Sequence, residues 1–177
     1  MTRLRFHRFP TAFGEFTLVW GESNTVNRIY LPGRDTAMAK DYPGAKQGAD
    51  SNIRQLAESI SRFLAGEDVH FSLDAVALET CSEFRRRVLL AEYGIPRGHV
   101  STYQRITEHI GCPGGARAVG GALSGNPFPI IIPCHRAVRA DGGLGGYQGG
   151  LEMKRRLLEM EGVCFSGGRV DMSRVYY

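Results

Sequence analysis

The 177-residue sequence predicts an α+β fold: a small N-terminal sheet-plus-helix domain, residues 1–78, followed by a mostly helical C-terminal domain, residues 79–177, built around a winged-helix-like helix-turn-helix. Three observations predict it. Apolar and polar residues alternate with the strand period of two near the N-terminus. The period lengthens to the helical one past position 50. From position 80, short helical patterns succeed one another across a glycine-containing turn.

Between Leu4 and Leu31 the apolar positions Phe16, Leu18 and Trp20, then Val26, Ile29 and Leu31, mark short antiparallel strands. Their turns fall at Phe13-Gly14-Glu15 and Gly21-Glu22-Ser23-Asn24. The stretch from Pro32 to Asp50, rich in Gly, Asp and Lys, reads as an irregular connection. Ile53, Leu56, Ile60, Phe63 and Leu64 recur at helical spacing before a stop at Gly66, and Val69 to Leu73 reads as a last strand. Thr80-Cys81-Ser82-Glu83 has the form of a capping box, leading into Phe84, Val88, Leu89 and Tyr93 on one helical face and ending at Gly94-Ile95-Pro96. A second box, Ser101-Thr102-Tyr103-Gln104, opens a helix through Ile106 and Ile110 that stops at Gly111. After Cys112-Pro113-Gly114-Gly115, residues 116–123 form the second helix of the helix-turn-helix.

That last helix is made almost wholly of small residues, Ala116-Arg117-Ala118-Val119-Gly120-Gly121-Ala122-Leu123. Two adjacent glycines cost a helix about 1 kcal/mol each relative to alanine, so something should offset them. Either neighbouring helices approach closely, or the helix itself enters a narrow nucleic-acid groove that bulky side chains would block. On the second alternative, Arg117 is the one long cation placed to reach into the duplex.

Composition and charge bound the function. Apolar residues make up 42% and charged residues 23%, which excludes a disordered chain. No stretch approaches the roughly 18 to 20 apolar residues of a membrane span, and the N-terminus lacks the apolar core of a secretion signal. Residues 1–80 carry 9 Lys and Arg against 10 Asp and Glu, and residues 81–177 carry 13 against 8, so the whole positive excess lies in the C-terminal part, where a polyanion would bind. Cys81, Cys112, Cys134 and Cys164 form neither a CxxC pair nor a zinc-finger spacing. The expectation is free thiols in a reducing compartment, cytoplasmic, or nuclear in a eukaryote, with no metal and no cofactor.

The run Ile130-Ile131-Ile132-Pro133-Cys134-His135-Arg136 carries the chemistry. Three isoleucines before a proline suggest a buried extended segment that ends abruptly and presents Cys134 on a constrained turn. A cysteine attacks as the thiolate, so its proton must be taken by a base, and His135 is the candidate. In an extended segment neighbouring side chains point apart, so a bridging water is expected between the two, with a carboxylate fixing the imidazole.

Around that run stand Asn126-Pro127-x-Pro129, then Gly145-Gly146-Tyr147-x-Gly149-Gly150, then Lys154-x-x-Leu157-Leu158-x-x-Glu161-Gly162. The three blocks together resemble the alkylguanine-DNA alkyltransferase family, densely over about residues 80 to 165 and more loosely before them. The resemblance implies transfer of an alkyl group from 6-O-alkylguanine in double-stranded DNA, and from 4-O-alkylthymine, onto Cys134, after base flipping and once per molecule, by a monomer. It implies that His135 is the water-mediated base, that Glu161 orients it, that Asn126 braces the acceptor turn, and that Tyr103 protonates or hydrogen-bonds a ring nitrogen of the leaving base. Arg117 matches the finger that fills the vacated space, with Ala116, Gly120, Gly121 and Ser124 on the same minor-groove helix. Tyr147, Gln148 and Lys154 match the alkylguanine pocket.

The sequence departs from some relatives in three places. It has no cysteine in the first 80 residues with which to bind zinc, Ser124 stands where a basic residue can occur, and Gln148 stands for a serine at the pocket rim. Two rivals are a noncatalytic alkyltransferase-like protein, which lacks the acceptor cysteine present here, and a cysteine hydrolase, which has no need of a small-residue helix or a basic C-terminal half.

Overall fold

In a computed structural model of the chain, residues 4–177 are described, so the first three residues of the predicted N-terminal domain lie outside the description. The chain divides into two units. One runs to Thr80 and also takes in Pro127–Ile131, and the other comprises Cys81–Asn126 and Ile132–Tyr177.

In the first unit β1 (Arg5–Thr11), β2 (Gly14–Trp20) and β3 (Val26–Tyr30) form an antiparallel meander at the predicted turns. The helix predicted past position 50 is α2, after α1 (Asp35–Asp41) and β4 (Lys46–Gln47). It spans Ser51–Leu64, is capped by Asp50 accepting from the Ile53 N–H, and buries Ile53, Ala57, Ile60, Phe63 and Leu64. It packs against β1 in a sheet ordered β3-β2-β1-β4.

Two expectations in this unit are corrected. Pro32 to Asp50 is not irregular, since it contains α1 and β4. Helix α1 buries one residue, Met38, against Val19 and Tyr30, which is too little to show as a periodicity, and β4 pairs with Arg5 and Phe6 through its backbone while its side chains stay exposed. That second layer is why β2 buries all of Phe16 to Trp20 rather than alternate residues. Nor does Val69 to Leu73 form a strand. The Ser72 hydroxyl accepts from the Asp74 N–H and starts a 3-10 turn at Leu73–Ala75, leaving Val76 a single bridge to Val26.

In the second unit α3 (Glu83–Tyr93), α4 (Tyr103–His109) and α5 (Ala116–Ser124) pack on one another, with α4 and α5 forming the helix-turn-helix. Both helix starts lie further along than the capping boxes predict. Ser82, not Thr80, caps α3 by accepting from the Arg85 N–H, because the Thr80 hydroxyl is bonded back to the Ala77 carbonyl. Thr102, not Ser101, caps α4, because Ser101 is held in the short strand β5 (Ser101–Thr102), paired in parallel with β6 (Ala137–Val138). Helix α6 (Leu151–Met160) and the hairpin of β7 (Phe165–Ser166) and β8 (Arg169–Val170) complete the unit. Among the described residues no helix is long and apolar enough to cross a membrane.

Candidate active site

The isoleucine run is buried, as expected, but it is not extended. Ile130 has a φ of 75°, and the chain turns there before Cys134–Arg136 forms a single 3-10 turn. The Asn126 side-chain amide braces this turn, donating from Nδ2 to the Ile132 carbonyl at 2.9 Å. The same amide hydrogen-bonds the Cys134 sulfur. One residue thus fixes the turn and favours negative charge on the thiol.

Cys134 is only 5% exposed. Burial pushes its thiol up to about 12, against the pull of Asn126 and Lys154, so the resting side chain is a neutral thiol. The next residue is a buried histidine. His135 is fully buried, and its Nε2 lies 2.7 Å from Glu161 Oε1. Burial opposes charge on Glu161 too, but the His135 and Arg136 contacts outweigh it and hold the carboxyl at about 2. An ionised carboxylate can only accept, so His135 Nε2 carries the proton and donates it. Burial meanwhile lowers the imidazole pKa, keeping the ring neutral. The lone pair is therefore on Nδ1, which has no hydrogen-bond partner among the described residues. A neutral histidine oriented by Glu161 with its basic nitrogen free is equipped to take a proton.

Arg136, which sequence reasoning passed over, completes this group. Its Nε and one terminal nitrogen grip Glu161 at 2.8 and 2.9 Å, and the other terminal nitrogen donates to the Ile95 carbonyl at 2.5 Å. Its place directly after Cys-His was the available signal, since a charged residue in a buried turn needs a partner.

The predicted pocket residues gather around the turn. The Tyr103 ring lies against Gly120 on one side and Gly145 on another. A Cβ on Gly145 would sit 2.6 Å from Tyr103 Oη, and Gly145 has a φ of 69°. Burial raises the Tyr103 hydroxyl to about 12, so it holds its proton. Tyr147 is edge-on to His135 at 6.4 Å between ring centres, and burial raises its pKa well above the ordinary value. Gln148 donates from Nε2 to the Asn126 carbonyl at 2.8 Å. Lys154 is fully buried. Its ammonium donates to the carbonyls of Ala137 (2.6 Å), Leu144 (2.5 Å) and Gly146 (3.2 Å), tying the strand after the Cys134 turn to the loop that follows it.

On α5, Val119, Ala122 and Leu123 face the core, while Arg117, Gly121 and Ser124 are exposed and Ala116 and Gly120 are partly covered. A Cβ on Gly121 would meet nothing within 4 Å, and one on Gly120 would only touch the Tyr103 ring at 4.0 Å. Close helix packing therefore does not account for Gly121.

A second residue missed from sequence is Glu92, on the buried face of α3 one turn past Val88. It is fully buried, and neither carboxyl oxygen has a hydrogen-bond partner among the described residues. A charged residue in the apolar stripe that begins at Phe84 and Val88 is the signal that would have found it.

Comparison with known proteins gives the family. The family model for the 6-O-methylguanine DNA methyltransferase DNA-binding domain matches residues 83–163. A methylated-DNA–protein-cysteine methyltransferase of Methanothermobacter thermautotrophicus is 43% identical over 150 residues, covering 85% of this chain and 81% of that one. Among solved structures, Mycobacterium tuberculosis OGT in complex with DNA superposes with a TM-score of 0.75 at 31% identity, covering 89% of this chain and 92% of that one. The O6-methylguanine-DNA methyltransferase of Pyrococcus kodakaraensis gives 0.66 at 27% identity, over 90% and 99%. These likenesses define a class, enzymes that repair DNA by alkyl transfer. The chain belongs to the methylated-DNA–protein-cysteine methyltransferase family.

Proposed function

We propose that Cys134 is the acceptor, that it takes the alkyl group from the 6-oxygen of guanine, and also from the 4-oxygen of thymine, and that each molecule reacts once. The observation that carries this is the neutral His135, tied through Nε2 to Glu161 with Nδ1 free, immediately following a buried thiol.

Within the duplex the 6-oxygen of guanine is stacked out of reach, so the nucleotide must be extruded, at a cost of a few kcal/mol. The exposed face of α5 suits this task. Gly121 lets the backbone approach the minor groove, and Arg117 occupies the gap left in the stack. The Cys134 proton then passes to His135 Nδ1, directly or through a water, while Asn126 and the Lys154 charge favour the thiolate. Sulfur attacks the alkyl carbon in line. A carbon–sulfur bond forms, the carbon–oxygen bond breaks, and its electron pair leaves on the purine. Tyr103, still protonated at neutral pH, donates to the purine ring and offsets the developing charge. The product is a thioether, which no group in the site can reverse.

With benzylguanine in excess, product should plateau at one equivalent per chain, and Cys134→Ser should form no alkylated protein. A steady rate past one equivalent would refute single use. Arg117→Ala should weaken transfer from a duplex far more than transfer from free benzylguanine, and equal losses would refute the finger role.

A further inference from the structure

Glu92 has no part in the mechanism above, yet it lies in the interior that holds the acceptor. Helix α3 packs on the Cys134–Arg136 turn. The groups that act on the Glu92 carboxyl come from four elements. They are Lys154 on α6, Cys134 and Arg136 on the turn, Tyr103 on α4, and Tyr177, whose hydroxyl donates to the Ala91 carbonyl beside it. The Ala137 N–H also acts on the carboxyl without completing a hydrogen bond.

The charges in this interior can be assigned. Arg136 and Glu161 neutralise each other through two hydrogen bonds. Burial draws the Lys154 ammonium down to about 8, which leaves it charged at neutral pH, and its three carbonyl acceptors are satisfied only by that charged form with its three protons. Lys154 is then the cation left to favour a thiolate at Cys134. Burial raises Glu92 to about 8, more than the pull of Lys154 and Arg136 can offset, so at neutral pH it is an uncharged acid. An unpartnered buried acid costs stability that a leucine at the same place on α3 would not, and such a group beside a reacting thiol points to function.

We propose that Glu92 is a positioning residue for alkyl transfer, acting through Lys154 and Cys134: as a neutral acid it leaves the Lys154 charge available to the thiolate, and as a carboxylate it cancels that charge. It makes the site self-limiting on the alkaline side. A thiolate that would otherwise gain population with rising pH meets a second negative charge on α3. This inference rests on Cys134 being the acceptor.

The test is the pH profile of transfer from free benzylguanine, which removes any effect of DNA binding, in the wild-type chain, Glu92→Gln and Glu92→Asp. If the carboxylate shifts the thiol by about one pKa unit, the ratio of the Gln variant's rate to wild type rises about tenfold between about pH 7 and about pH 9.5, and Asp restores the wild-type shape. A ratio that stays flat or falls overturns the proposal, because a merely structural residue changes the rate equally at every pH. Infrared spectra of the wild-type chain supply an arm that needs no variant to fold. A protonated carboxylic-acid band at neutral pH that titrates away near pH 8 is expected, and its absence overturns the proposal. A wild-type chain that never alkylates Cys134 sinks the acceptor assignment and this inference together, whereas an active wild type with a flat ratio sinks this inference alone.

Discussion

Replacing Glu161 by Gln removes one negative charge from the buried group that orients His135, and its cost follows in two independent ways. Arg136 is 8% exposed and Glu161 7%, so the substitution leaves a guanidinium buried without its counter-charge. Breaking a buried pair by removing one partner costs about 3 to 5 kcal/mol, and the Gln oxygen, which can still accept one bond, sets the lower end. The second route is proton linkage. The carboxyl is held at about 2 in the folded chain against an ordinary 4.5, so its contribution is fully present above about pH 4.5 and is lost as pH falls toward 2. At about 1.4 kcal/mol per pKa unit this is about 3 kcal/mol, in agreement with the first figure. Urea denaturation of both chains at about pH 7 should show Glu161→Gln less stable by about 3 kcal/mol with an unchanged denaturant slope. Repeated from about pH 5 down to about pH 2.5, the series should bring the two together as the wild type alone loses this contribution. Parallel pH profiles would refute the assignment of Glu161 as the ionised centre of the group.

Gly121→Ala adds a methyl that meets nothing within 4 Å, so thermal stability should rise by up to about 1 kcal/mol while duplex affinity falls. Unchanged affinity in a binding titration would remove α5 from the groove. Gly145→Ala puts a Cβ 2.6 Å from Tyr103 Oη at a positive φ and should cost about 1 to 3 kcal/mol in calorimetry, with transfer impaired because Tyr103 is displaced. Glu92→Leu should be more stable than wild type, by a margin that widens as pH rises from about 4.5 to about 8, because the folded chain keeps a proton on Glu92 that the unfolded chain loses over that range; pH-independent stabilisation would contradict a protonated Glu92. Duplex affinity should fall as salt rises, through release of counterions from phosphates, and a flat profile would argue against the basic C-terminal part as the DNA platform.

The elements most legible in the sequence were those that bury several apolar residues, such as β2, β3, α2 and α5, while β1 and α4, with one buried apolar residue each, were marked by the turn at Gly14 and the capping box before Tyr103. Elements held by one contact or by backbone pairing alone left no pattern. Met38 is the sole buried residue of α1, β4 exposes both its side chains, and the Cys134 turn is set by the Asn126 amide, which bonds the carbonyl of Ile132 six residues further on. The site divides in the same way. Cys134, His135, Glu161, Asn126, Tyr103, Tyr147, Gln148 and Lys154 could be named from spaced motifs. What those motifs could not give was the electrostatic frame, because Arg136 and Glu92 matter through burial, and burial is a property of the folded chain. The glycine pair of α5 was ambiguous until the space around each Cβ was known.

Peptide mapping by mass spectrometry, after incubation with a duplex containing one 6-O-methylguanine, tests the central claim most directly. The expected result is one added methyl mass per chain, on the peptide carrying Cys134, with the guanine in the duplex restored. A methyl on Cys81, Cys112 or Cys164, or an unmodified Cys134 after the damaged duplex has been fully bound, would contradict it.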